Sequence, residues 1–169
     1  MERPPLDIVE WNRLLASVRE RRDKLILWIL YATGCSEKEF LSLRRKDVDT
    51  QQSCILFGTR TAFIPAVLCK ELISFCTDQA VSTDAIIFSS RQSSHMSAKR
   101  LQQIVGDATE QVLNTRLTPT ILRKTHIYHA LQKNISLPSI AHQVGISYQR
   151  ISQIIEEVSP QLGAYRYEL

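Results

Sequence analysis

The run Leu25 to Ala32 would be apolar on every side of a helix. The segment from Lys24 to Thr33 therefore has no face suited to water and belongs at the centre of a fold. It is far too short for a membrane, whose span needs roughly 18 to 20 apolar residues. Gly34 follows, the residue that most easily adopts the left-handed conformation of a helix end. With 169 residues the chain can bury one core around this helix without disulfides or a metal. One domain over residues 1–158 and a tail over 159–169 are expected.

Helical periods surround that centre. Asp7 with Glu10 reads as a capping box, and Ile8, Trp11, Leu14, Leu15 and Val18 place the apolar side of a helix over about 7 to 21. Ser36 with Glu39 repeats the box before a short helix carrying Phe40, Leu41 and Leu43. The period then shortens. Residues 53–57 and 61–67 form two β-branched and aromatic runs joined by Gly58-Thr59-Arg60, a hairpin signal, and residues 85–88 supply an expected third strand. Helical spacing returns over 65–77, over 97–113 behind Ser97, and from Thr118, the expected cap, to about Lys133. The fold class is mainly α with a small three-stranded antiparallel β-sheet.

Charge narrows the partner. The net charge is +4 with a pI near 9.0, which suits a polyanion without identifying one. The cations cluster as Arg19, Arg21, Arg22 and Lys24; Arg44, Arg45 and Lys46; Lys99 and Arg100; and Arg123 with Lys124. Each cluster reads equally well as a solvated helix face. Met1 to Pro5 lacks the layout of a secretory signal, so a cytoplasmic, nucleoid-associated location is expected. Cys35, Cys54, Cys69 and Cys76 lie far apart with no C-x-x-C pair and read as reduced core thiols. His126, His129 and His142 find no cysteine or acid spaced to complete a zinc site; neither metal nor cofactor is expected.

Near the C-terminus, residues 137–157 have the layout of a helix-turn-helix. Ser136 or Leu137 opens the first helix, Ala141 is small where two helices would cross, Gly145 supplies the turn, and Ser147 caps the second helix. Ile140, Val144, Ile146, Ile151 and Ile154 fill the shared core. The outward residues Ser147, Tyr148, Gln149, Arg150 and Gln153 are then candidates for base and phosphate contacts in a major groove. The alternative is a helical hairpin whose polar side faces water.

The order of these elements resembles the catalytic domain of the tyrosine recombinases, the phage integrase family. Tyr31-Ala-Thr-Gly-Cys-Ser-Glu-Lys-Glu-Phe-Leu-Ser-Leu43 is similar to the signature in which an apolar helix and Thr-Gly precede an arginine, a Glu, two apolar positions and a Leu. Residues 86–101 resemble the family's third strand and following helix. Thr118-Pro-Thr-Ile-Leu-Arg-Lys124 resembles its Thr-Pro-His-x-Leu-Arg-His box, and Ile140-Ala-His-Gln-Val-Gly-Ile-Ser147 its Leu-Gly-His-Ser turn. The match runs over roughly residues 7 to 156. The family's second domain normally begins where this chain begins, so binding is expected to lean on dimerisation or a partner.

The resemblance also states the chemistry. In the family a tyrosine attacks a DNA phosphodiester, two arginines hold the nonbridging oxygens, and a lysine and two histidine-type residues handle protons and charge. Carried over by position, the first arginine falls on Ser36, the first histidine on Thr120, the second histidine on Ile146 and the tyrosine on Ile155. Arg123 keeps the second arginine. The hairpin lysine has no clear counterpart, Arg60 being the basic residue at that turn. No catalytic residues are therefore expected. Arg123 reads as a retained phosphate clamp or as one half of a surface ion pair.

Three functions stay open. The first is a catalytically inactive, recombinase-like binder of double-stranded DNA in an accessory or regulatory role, acting as a homodimer or beside a recombinase partner. The second is an active recombinase whose nucleophile is displaced to Tyr148, Tyr165 or Tyr167. The third is a helix-turn-helix transcription regulator.

Overall fold

A computed structural model describes residues 3–158; the expected tail, with Tyr165 and Tyr167, lies outside the described residues. The elements run α1 (Ile8–Ser17), α2 (Arg21–Thr33), α3 (Glu37–Leu41), β1 (Val48–Asp49), β2 (Cys54–Phe57), β3 (Arg60–Phe63), α4 (Ala66–Asp78), α5 (Ala98–Leu113), α6 (Thr120–Gln132), α7 (Leu137–Val144) and α8 (Tyr148–Val158). A single 3-10 turn, Arg45–Asp47, leads into β1. The strands form one antiparallel sheet in the order β1-β2-β3.

The local chemistry explains most boundaries. Both capping boxes form, Asp7 with Glu10 and Ser36 with Glu39. Ser97, Ser136 and Ser147 accept from the backbone N–H three residues on. Helix α1 is shorter than its apolar pattern, ending at Ser17 because Val18 turns extended; α2 accordingly starts earlier, at Arg21. The expected Thr118 cap is replaced by Pro119, which needs no N–H partner; Thr118 contributes its carbonyl to the Ile121 N–H instead.

The third strand is a correction. Residues 85–88 do not join the sheet: Ile86 forms only an isolated bridge with Arg44. The place beside β2 is taken by Val48–Asp49, paired Val48 with Ile55 and Asp49 with Cys54. The Asp49 carboxylate accepts the N–H groups of Gln51 and Gln52, which tightens that connection. Ile87 and Phe88 go into the core, the Phe88 ring lying 5.1 Å from Phe40 and 5.7 Å from Phe75. Burying an aromatic stack there outweighs a few edge hydrogen bonds.

Two apolar cores result. The larger surrounds α2, whose Leu25, Ile26, Leu27, Ile29 and Leu30 are all buried as its sequence requires. The smaller lies among α6, α7 and α8 and contains Ile127, Ile140, Val144, Ile151, Ile154 and Ile155. All four cysteines are buried and unpaired.

Polar groups pin the N-terminal segment to the bundle. The Leu6 N–H donates to Thr125 Oγ1 at 3.1 Å, and His129 Nε2 donates to the Leu6 carbonyl at 2.9 Å. His129 Nδ1 accepts from the Tyr31 hydroxyl at 2.8 Å, a tautomer fixed by its partners. Tyr31 in turn stacks on Trp11. His126 sits edge-on to Tyr31 at the wall of an apolar hollow of about 750 Å³ whose lining includes Trp28, Phe63, Ile135 and Ile140.

Burial pushes His126 down to about 4, only partly opposed by a bond involving Tyr31. The unfolded chain therefore binds the proton first. The resulting stability is fully present above about pH 6.5 and is lost as pH falls toward 4, by at most about 1.4 kcal/mol per pH unit. Thermal denaturation across that window should show this acid loss in the natural chain and a flatter profile for His126→Gln. Identical slopes would remove His126 as the cause.

Candidate nucleic-acid interface

The functional candidates fall into three groups in space. In the first, α3 and the hairpin bring two guanidinium groups to one carboxylate. Glu39 Oε1 accepts the Ser36 N–H at 2.9 Å, closing the capping box. Its Oε2 takes Arg60 NH2 at 2.5 Å, and Arg123 NH2 lies 4.0 Å from Oε1. Burial acts to raise the Glu39 carboxyl, but the Ser36 and Arg60 bonds outweigh it and hold it below the ordinary carboxylate range. Burial likewise lowers Arg123, which stays a cation because a guanidinium is protonated at any ordinary pH.

Arg60 departs from its expected place. It is the first residue of β3, paired with Phe57 across the two-residue turn Gly58-Thr59, with its guanidinium 4.8 Å over the Phe57 ring. From there it reaches inward to the Gln143 carbonyl at 2.5 Å. Gln143 is a site residue that its sequence position does not suggest. Its side-chain amide pairs with both backbone groups of Phe63, at 3.0 and 2.7 Å, and donates also to Ala32. The end of α7 is thus docked on β3 like an extra strand residue.

The other side of this corner is equally close. Arg123 Nε donates to the Gly34 carbonyl at 2.6 Å. Gly145, in the left-handed region, leads from α7 to α8, and a Cβ there would run into the Arg60 guanidinium. Ser147 and exposed Tyr148 and Gln149 follow at once. On the far side of α3, Glu37 accepts from Gln102 of α5, one turn beyond exposed Lys99. Arg60 and Arg123 therefore sit between the start of α3 and the turn that leads into α8.

The second group has partners of its own. Arg44 and Arg45 donate to the carbonyls of Asp84 and Val81, and Lys46 pairs with Asp84 at 3.0 Å. These cations strap the 81–85 loop. Arg100 instead faces the start of α2, sharing a recess with Arg22 and Arg91. In the third group, Lys124 is 7 % exposed and lies under α8, its ammonium 3.1 Å from Glu157. Arg150 leans back along its own helix to Gln153 at 3.1 Å and Glu157 at 3.8 Å.

The model of the Phage integrase family matches residues 6–155. The chain belongs to the phage integrase family. Among its relatives, tyrosine recombinase XerC of Corynebacterium efficiens is 30% identical over 156 residues, covering 86% of this chain and 50% of the relative. Tyrosine recombinase XerA of Thermococcus onnurineus is 24% identical over 148 residues, 83% and 52% of the two chains. In structure, an XerA recombinase superposes with a TM-score of 0.79 at 21% identity, over 96% of this chain and 66% of the other. XerH bound to a palindromic difH substrate gives 0.79 at 18% identity, over 96% and 52%. The chain spans about half the length of the curated relatives it matches.

Within this integrase-family fold the positions read from the resemblance have definite surroundings. Ser36 spends its hydroxyl as the helix cap of α3. Thr120 is exposed at the start of α6, and Ile146 and Ile155 pack into the smaller core, Ile155 being 2 % exposed. Arg123 lies between the Gly34 carbonyl and the Glu39 carboxylate.

Proposed function

We propose that this chain is a binder of double-stranded DNA that keeps the recombinase fold without strand cleavage, in an accessory or regulatory role linked to recombination. The observation that carries the reading is the pairing of a cationic corner with an apolar plug. Arg60 and Arg123 are gathered at Glu39, while the position that matches the family's tyrosine holds Ile155, buried among Ile127, Ile140 and Ile151. A guanidinium binds phosphate oxygens whether or not chemistry follows; an isoleucine cannot attack phosphorus. XerH, one structural neighbour, is bound to a palindromic difH substrate, and another, the Tn1549 transposon integrase, is in complex with transposon right end DNA, which supports DNA as the ligand class.

In this reading the pair α7 and α8 acts as a helix-turn-helix, with Tyr148, Gln149 and Arg150 offered to a groove. Exposed Tyr148 also keeps open the second reading, a recombinase with a displaced nucleophile. A nicked suicide duplex resolved on a denaturing gel separates the two: duplex binding that weakens with salt and leaves no covalent adduct is expected. An adduct lost in Tyr148→Phe would establish the recombinase instead. Arg123→Ala should weaken binding to all duplexes and flatten the salt dependence by about one unit of slope, whereas Arg150→Ala should chiefly relax sequence preference. Equal losses on specific and random DNA for both variants would overturn those roles.

A further inference from the structure

We propose that the recess between the starts of α2 and α5 is a separate phosphate-binding site, formed by Arg22, Arg91 and Arg100, and that it takes a backbone phosphate of the duplex. The inference rests on the duplex-binding reading and adds to it a site that shares no residue with the corner of Glu39, Arg60 and Arg123.

The helix macrodipole favours acids in the first turn and disfavours cations there. Both helices go against that preference. α2 opens with Arg21 and Arg22, and Glu20 before them makes no side-chain cap. α5 opens with Ala98, Lys99 and Arg100 and has no acid in its first turn. Arg21 is drawn away, to Asp78 at 2.6 Å and over the Phe75 ring. Arg22 and Arg100 remain, on two helix starts that the fold brings to one recess of about 420 Å³. A bound anion offsets what these cations cost, because the same helix ends that repel a guanidinium attract a phosphate.

The third cation arrives on a loop. The Ser90 N–H donates to the Ser93 carbonyl at 3.1 Å, closing a turn with Arg91 and Gln92 at its tip, and both tip residues line the recess. Among the described residues no carboxylate lines it. Asp23 is bonded to Arg22 at Nε and Nη2, while the side chains of Arg91 and Arg100 have no hydrogen-bond or ion-pair partner among the described residues. On its other side Arg100 borders a second recess, where Arg19 stands with Glu20, Asp23 and Asp107. Those acids would repel a phosphate, so the anion belongs with Arg91. Met96 is the one apolar lining residue, which leaves no ring for a nucleobase to stack on. A phosphate of a backbone therefore fits better than a free nucleotide.

The test compares the full chain with Arg91→Gln/Arg100→Gln, and with Lys70→Gln/Lys133→Gln, which removes the same charge at exposed positions outside the recess. In chloride the recess variant should melt no lower than the natural chain and up to about 3 °C higher, because a cation leaves the start of α5. Inorganic phosphate in place of chloride, at matched ionic strength, should raise Tm by roughly 2–4 °C in the natural chain and the control. The recess variant should show less than half of that rise. On duplex DNA it should lose about one unit of salt slope more than the control does. A lower Tm in chloride would show that the two arginines serve the fold, and would overturn the proposal. So would an undiminished phosphate rise, or a control that loses as much slope. A phosphate rise lost with no change of slope would overturn the assignment to the DNA backbone and leave a site for free phosphate. A natural chain that ignores duplex DNA sinks the duplex reading and that assignment together, whereas one that binds DNA as well with the recess variant's substitutions as without them sinks the recess alone.

Discussion

Gly34→Ala is expected to lower stability by about 3 kcal/mol, and Tm by roughly 6–12 °C for a chain of this size. Two costs add. Gly34 ends α2 in the left-handed region at φ 58°, its N–H donating to the Leu30 carbonyl at 3.0 Å. Placing an L side chain in that conformation costs about 1 kcal/mol or more. The new methyl group would also meet the Cβ and Cγ1 of Val144, a fully buried residue of the smaller core. Overpacking of that kind costs about 1–3 kcal/mol. Gly34 is therefore the seam at which the helix of one core touches the other, and its carbonyl also anchors Arg123. Because the clash is specific, Val144→Ala in the same background should return about 1 kcal/mol, read as a coupling energy in a double-mutant cycle. Strict additivity of the two substitutions would show that the cost is backbone strain alone.

That seam was half legible in the sequence. A glycine after an apolar run announces a helix end, and the structure puts the end there; that the same glycine also makes room for a valine 110 positions later in the chain has no local signature. The same division runs through the site. Ser36, Ser97, Ser136 and Ser147 act on neighbours three residues away, so their caps could be read directly. Residues 85–88 looked like a strand because β-branched and aromatic side chains suit both a sheet and a core, and only the stacking of Phe88 between Phe40 and Phe75 decides between them. The cations show the limit most clearly. Arg44, Arg45 and Lys46 form an obvious cluster, yet their partners are groups of Val81 and Asp84. Lys124 is drawn under α8 by Glu157. Neither pairing can be inferred from charge spacing, since both depend on how distant segments dock. Gln143 is hardest of all: it reads as a polar residue near a helix end, and its role arises only when its amide meets the edge of β3.

Glu39→Gln is expected to cost about 2–3 kcal/mol at neutral pH while strengthening the attraction for DNA. The variant leaves Arg60 and Arg123 facing each other in a partly buried corner with no carboxylate between them, and loss of one member of such a pair strands the charge of the others. The figure sits below the full cost of a buried pair because Glu39 keeps 28% of its side chain exposed and solvent screens part of the repulsion. The sign with pH follows from the lowered carboxyl. A carboxyl held below its unfolded value stabilises above about pH 4.5 and loses that contribution as pH falls through its folded value. Glutamine mimics the protonated acid in shape and charge, so the natural chain and the variant should differ most near neutrality and converge only once the pH has fallen below the carboxyl's lowered folded value. On DNA the same change removes one negative charge from the corner that holds Arg60 and Arg123, which should steepen the salt dependence by about one unit of slope. Stability and affinity would then move in opposite directions, as expected if the carboxylate holds two cations ready at the cost of part of their pull on phosphate. A variant that lost both together would show instead that Glu39 serves only to position the arginines, and that their net charge is not what draws the duplex.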